Sequence, residues 1–151
     1  MIQRHWARGL GFVVLWIFFI ALLIAISWSR FRDIFTVQVD EGINLAKAVA
    51  LGSGYALYTD IWSNQPPGLA VFLQKTFAIF DHSLLAGRAL VAALSALLLV
   101  SFFYLLRLRN SRTIAAVACT CVLIDPLYRL LSIRVLVGLP SLALADRKRV
   151  V

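Results

Sequence analysis

The 151-residue sequence predicts an all-α integral membrane protein with about three to four transmembrane helices and an extracytoplasmic loop holding two interfacial helices. Three observations predict it. The chain is 62% hydrophobic and 15% charged, with a mean hydropathy of +0.88, whereas soluble domains carry about 25% charged and roughly 45–50% apolar residues. Its apolar residues gather in runs long enough to cross a bilayer. Its basic residues stand at the ends of those runs. Too few polar side chains remain to coat a water-facing surface, which excludes an ordinary soluble enzyme, a disordered chain and a disulfide-stapled secreted module.

The first span is expected over about residues 10–29, within the uncharged stretch 9–29. At about 1.5 Å per residue this stretch reaches roughly 30 Å, one hydrocarbon thickness. Arg4 and Arg8 precede it, and Arg30 and Arg32 follow. Ala25-Ile26-Ser27 mimics a signal cleavage site. The apolar stretch nonetheless exceeds the roughly 7–15 residues of a signal core and further spans follow, so it reads as uncleaved. The second span, 89–106, is bracketed by Arg88 and Arg107, with Arg109 and Arg112 close behind. The basic cluster at 107–112 belongs in the cytoplasm. The N-terminus is then cytoplasmic too, in a bacterial inner (plasma) membrane, and the loop 31–87 lies outside. A third span over about 113–131 requires Asp125 and Arg129 to snorkel to the outer interface. Residues 135–145 read as a partial fourth span, containing Pro140 and ending at Asp146-Arg147-Lys148-Arg149.

The net charge of +8 would suggest nucleic acid in a soluble protein. Basic residues at the ends of spans suit anionic headgroups instead, so membrane lipid is the expected partner and nucleic acid is not. Cys119 and Cys121 sit two apart on one helix and point to nearly opposite faces, where they neither bridge nor share a metal. His5 and His82 lack ligand spacing. No P-loop, dinucleotide fingerprint, serine nucleophile elbow or internal repeat is present.

The loop is too apolar for a flexible linker and is expected to pack on the membrane surface. Its first helix is expected over about 41–51, with Asp40 as N-cap and Gly52 as stop. Lys47 is the long polar exception on this mainly apolar segment. The second is expected to start at Pro66-Pro67, with Asn64 as cap, and to run through Phe80. Tyr55, Tyr58 and Trp62 between them suit the headgroup level. Asp40, Glu41 and Asp60 therefore stand near the hydrocarbon boundary, an unusual place for three carboxylates. Such a carboxylate can act as general base for a hydroxyl. The structural alternative is a helix cap, a dipole-stabilising residue and a turn residue, and residue types alone favour it.

The order of motifs adds to this. A span is followed by Asp40-Glu41, a Gly52-x-Gly54-Tyr55 turn, Tyr58-x-Asp60 and then Asn64-Gln65-Pro66-Pro67-Gly68. Together they resemble the N-terminal part of the membrane glycosyltransferases that use polyprenyl-phosphate sugars, the GT-C superfamily with its protein mannosyltransferase and aminoarabinose transferase branches. The bacterial branch with an N-Q-P-P-type loop is the most similar. The resemblance implies transfer of a sugar from a polyprenyl-phosphate donor to a hydroxyl acceptor at the outer face. It implies Asp40 as catalytic base and Glu41 as its assistant. Asp60 would orient acceptor or metal, and Asn64, Gln65, Pro66 and Pro67 would shape the donor's phosphate site. Positive charge or a divalent metal ion would neutralise the departing phosphate, with Lys75, Arg88, Arg129 and Arg134 as weak candidates.

Two departures qualify the resemblance. Family members run through roughly a dozen spans, and Gly138 stands where an acid often precedes the family's proline position. The expectation is a truncated or split member, inactive as residues 1–151 alone. The alternative is a small non-catalytic membrane protein that assembles with a membrane-protein partner, motivated by Arg129 and Arg134 in apolar surroundings. A transporter piece ranks last, since no pair of broken helices in matching halves is visible.

Overall fold

The computed structural model describes residues 2–33, 38–80 and 83–145, with side chains from residue 13 to 141. Among these the chain is all-helical. Its helices are α1 (Ile2–Ile26), α2 (Trp28–Arg32), α3 (Val39–Gly52), α4 (Gly68–Ile79), α5 (Leu84–Arg107), α6 (Arg112–Ile124), α7 (Pro126–Ser132) and α8 (Gly138–Ala145). The only ladder-like pairing described is a single bridge between Leu57 and Ile61.

Helix α5 is the axis. Ser83 caps it by accepting from the Ala86 amide at 3.1 Å, and four of its eight buried positions are small: Gly87, Ala92, Ser95 and Ala96. Small side chains let neighbouring backbones approach closely. Around one part of α5, Phe19 and Leu23 of α1 join Leu99, Val100, Cys119, Leu123, Tyr128 and Leu139 in one core. Around another, Ala48, Leu69, Leu73, Phe77 and Val135 pack with Val91 in a second core. Trp16 Nε1 donates to the Ala93 carbonyl at 2.8 Å, tying α1 to the axis.

Several expected boundaries move. The first helix already includes Arg4 and Arg8, and it breaks at Ser27 rather than running to residue 29. Asp40 does not cap α3: Gln38 holds that position without a side-chain bond, and Asp40 falls in the first turn. Gly52 does not stop α3 either. The stop is Gly54, whose φ of 95° is closed to most side chains. Its amide reaches Leu51 O and the Tyr55 amide reaches Ala50 O, both at 3.1 Å, a Schellman closure. Asn64 does not cap α4, because the prolines precede the helix and Pro67 is its N-cap residue. Arg88 does not bracket the second span but lies inside α5, buried.

The expected third span is two helices meeting at 76°. Proline at 126 has no amide to give and forces the preceding residue out of helical geometry. Asp125 takes that extended conformation and caps α7 by accepting from the Tyr128 amide at 2.7 Å. Among the described residues α5 is the one helix long and apolar enough to cross a membrane unaided, or one of two if the bent α6–α7 pair counts as a span. Cys119 is buried and Cys121 exposed, on opposite faces of α6 as the spacing predicts.

Gly87 tests the packing. A Cβ there would stand 3.0 Å from Leu45 Cδ2 and 3.1 Å from Val135 Cγ2. Gly87→Val is expected to destabilise the fold by about 1–3 kcal/mol through overpacking, read as a lowered unfolding midpoint in detergent. An unchanged midpoint would refute this account of how α5 meets α3.

Candidate functional site

One face of α3 carries Glu41, Asn44 and Lys47, three residues apart and all buried. Polar groups in such a place require partners. Glu41, fully buried, takes a two-pronged ion pair: Arg88 Nε donates to its Oε1 and Arg88 Nη2 to its Oε2, both at 2.9 Å. The Val135 amide adds a third bond to Oε1 at 3.1 Å. Asn44 Nδ2 donates to the Val135 carbonyl at 2.9 Å. Both backbone groups of Val135, in the non-helical stretch before α8, are thus satisfied by α3 side chains.

Arg88 also uses its remaining nitrogen. Nη1 donates to the carbonyls of Arg30 at 3.1 Å, Phe31 at 2.9 Å and Asp33 at 2.7 Å. These are the carbonyls at the C-terminal end of α2, which lack intrahelical partners and carry the negative end of the helix dipole. Only arginine offers enough donors in a planar fork to serve a carboxylate and three carbonyls together.

The structure thus separates the two adjacent acids. Glu41 is sealed and paired with Arg88, an arrangement that positions α3. Asp40, next to it, is exposed, and no partner for its side chain is described. Asp60 is committed locally: its Oδ2 accepts from the Ala56 amide at 2.9 Å, and its own amide reaches Ala56 O at 3.1 Å. It pins a turn in which Tyr58 holds the left-handed φ of 74°. Tyr58 OH crosses to the Gln65 carbonyl at 2.8 Å, closing the 58–65 loop. Asn64, Pro66 and Pro67 are exposed, and Gln65 Oε1 is buried without a partner.

Sequence reasoning missed the positions of Arg88, Asn44, Lys47 and Ser63 in this layer. A signal for Arg88 existed, since an arginine at the edge of an apolar run needs a buried acid if it is inside the helix. Lys47 Nζ donates to Ser63 Oγ at 3.1 Å, linking α3 to the loop. Among the described residues no group of three His, Cys, Asp or Glu side chains converges to hold a metal ion. Glu41 and Asp60 are each engaged elsewhere, Glu41 by Arg88 and Asp60 by the Ala56 amide. Hollows among the described residues that lie apart from them include an apolar 210 Å³ groove lined by Leu98, Leu99, Phe102, Val122, Tyr128 and Leu139, and an open 700 Å³ recess between α4 and α5.

The fold is that of a small helical bundle threaded on one apolar helix. Comparison with protein families, with curated proteins and with solved structures finds no match.

The ion pair carries a test of its own. Glu41→Gln is expected to cost about 3–5 kcal/mol, because it leaves a buried guanidinium without its charge partner. The double change Glu41→Leu with Arg88→Leu should recover part of that loss and not all, since three carbonyls remain unserved. Chemical unfolding of the three chains in detergent, followed by circular dichroism, measures both; a Glu41→Gln chain as stable as the original would overturn the role assigned to the pair.

Proposed function

We propose that the chain is the N-terminal transmembrane portion of a membrane glycosyltransferase that moves a sugar from a polyprenyl-phosphate donor to a hydroxyl acceptor at the outer face of the membrane. The observation that carries this reading is the unequal fate of the two neighbouring acids. Glu41 is locked to Arg88, while Asp40 is held one residue away, exposed, at the first turn of a helix whose other polar residues are fixed. A rigidly placed helix presenting one free carboxylate suits a general base.

In this proposal Asp40 accepts the proton of the acceptor hydroxyl. The hydroxyl oxygen bonds to the anomeric carbon, and the bond from that carbon to the phosphate oxygen breaks. The lipid phosphate leaves with the electron pair. No strong acid is required, since phosphate is already a good leaving group. Asn64 and the start of α4 border the donor, Glu41 positions Asp40, and Asp60 shapes the intervening turn. A step through a metal ion is not part of this scheme.

Membrane insertion is supported by α5 and by exposed apolar residues on the helices around it: Val13, Val14, Ile17 and Phe18 on α1, and Ile114, Val117 and Ile124 on α6. In this reading the N-terminus and the 107–112 cluster are cytoplasmic, and α3, α4 and the turn between them are outside, at a bacterial inner membrane. The second reading, a non-catalytic subunit of a membrane assembly, is favoured by Arg129, whose Nε is buried without a partner.

Two measurements test the proposal. In a full-length relative or a reconstituted pair, the change equivalent to Asp40→Asn is expected to reduce sugar transfer by about 100-fold or more, the usual scale for loss of a general base, with the amount of membrane-inserted protein unchanged; undiminished transfer would remove Asp40 from the chemistry. In a chain with Cys119→Ala and Cys121→Ser, Trp62→Cys is expected to react with a membrane-impermeant maleimide applied to intact cells. Labelling only after lysis would place the loop in the cytoplasm and defeat the scheme.

A further inference from the structure

Two opposite charges, Asp125 and Arg129, stand at the short helix α7, and neither meets a counter-charge. Asp125 is exposed, and one of its oxygens serves the Tyr128 amide. Arg129 is half-buried, and its Nε is enclosed without a partner. The two are four residues apart, yet the one ion pair among the described residues is Arg88 with Glu41. Contacts with α5 fix their depth. Cys119 Sγ donates to Leu99 O at 3.8 Å, and Tyr128 OH to Ser95 O at 2.7 Å. Ser95 is midway along the 24 residues of α5; at about 1.5 Å per residue it stands roughly 16–18 Å from either end. The chain reaches the Glu41 layer only later, at Val135. In a membrane spanned by α5, α7 therefore lies at the hydrocarbon centre and not at the outer interface. Charges facing outward at that depth are costly unless they are paired.

We propose that α7 is the seam of a homodimer, in which Arg129 of each copy pairs with Asp125 of the other. Both complementary charges belong to this chain, so a second copy supplies both partners at once. Helix α7 turns 76° away from α6 and so runs nearly across it. A two-fold axis along the membrane normal sets two such crossing helices antiparallel. A register centred on residue 127 then brings position 125 against position 129 twice, an isologous contact. Residues four apart share a helix face, and the exposed Pro126 and Leu127 add apolar contact around the pairs. The second carboxylate oxygen of Asp125 makes the new bond, so the α7 cap is kept. The inference rests on the membrane-insertion reading above and not on sugar transfer.

The full chain, carrying donor or acceptor fluorescent fusions, is reconstituted in phosphatidylcholine vesicles, and energy transfer is followed as added lipid dilutes it. A monomer–dimer curve is expected. Asp125→Arg and Arg129→Asp each set like charges against one another and should weaken self-association at least about tenfold. Mixed together, these two chains should associate again, because each meets its opposite; pairing of Asp125 with Arg129 inside one chain gives no such rescue. Asp125→Asn keeps the capping oxygen and loses the charge, and it carries the same expected loss if Asp125→Arg does not fold. Energy transfer no greater than that of a monomeric standard overturns the seam, and so does undiminished self-association of the single variants or a mixture that fails to recover. Carbonate extraction separates the two readings. A chain washed from the vesicles defeats membrane insertion and the seam with it, whereas an embedded chain that stays monomeric defeats the seam alone.

Discussion

The Arg88 guanidinium sits 1% exposed inside a helix that is otherwise almost wholly hydrocarbon, so protein groups alone must satisfy it. They come from two separate pieces of chain: the carboxylate of Glu41 on α3, and the carbonyls of Arg30, Phe31 and Asp33 at the end of α2. Glu41 extends the network to the Val135 amide, and Asn44 to the Val135 carbonyl. A charge in low dielectric tolerates no vacancy among its partners. The exit of the first long helix, the start of α3 and the stretch before α8 are therefore held in one register against α5. Apolar contacts bring these segments together, but they are non-directional; the hydrogen bonds decide orientation.

That constraint reaches the exposed layer. Because Glu41 cannot leave Arg88 without stranding a buried charge, α3 has one rotational setting, which places Asp40 on its exposed side. The turn after α3 is built to a similar standard. Gly54 closes the helix, Asp60 accepts the Ala56 amide, and Tyr58 spans to Gln65. Acids that residue types alone place together as one cluster thus divide into a lock, a turn pin and one free group. The free one carries the chemical proposal.

Much of the architecture was legible in composition. The strong apolar run at 89–106, bracketed by Arg88 and Arg107, foretold the central helix; Arg107 is its last residue, but the helix starts earlier, at Leu84. Both short helices of the loop were visible from their flanking turn residues, although the caps were not. Asp40 and Asn64 are good capping residues, and yet Gln38 and Pro67 stand at those ends, because capping preference is a small energy that packing of Leu45, Leu69 and Leu73 against α5 outweighs. The expected single span over 113–131 runs through Asp125-Pro126, where the chain instead turns by 76° between two helices.

By itself the sequence determined that the chain is helical, roughly where its apolar segments lie and how apolar they are. These follow from local chemistry: side-chain hydropathy and backbone dihedral limits. Only the tertiary structure decided that Arg88 belongs to Glu41, that Asn44 serves Val135 and that Lys47 lies beneath Ser63. Those pairings join residues separated by 47, 91 and 16 positions. Which buried donor meets which acceptor depends on how the helices rotate against one another, and no local preference contains that rotation.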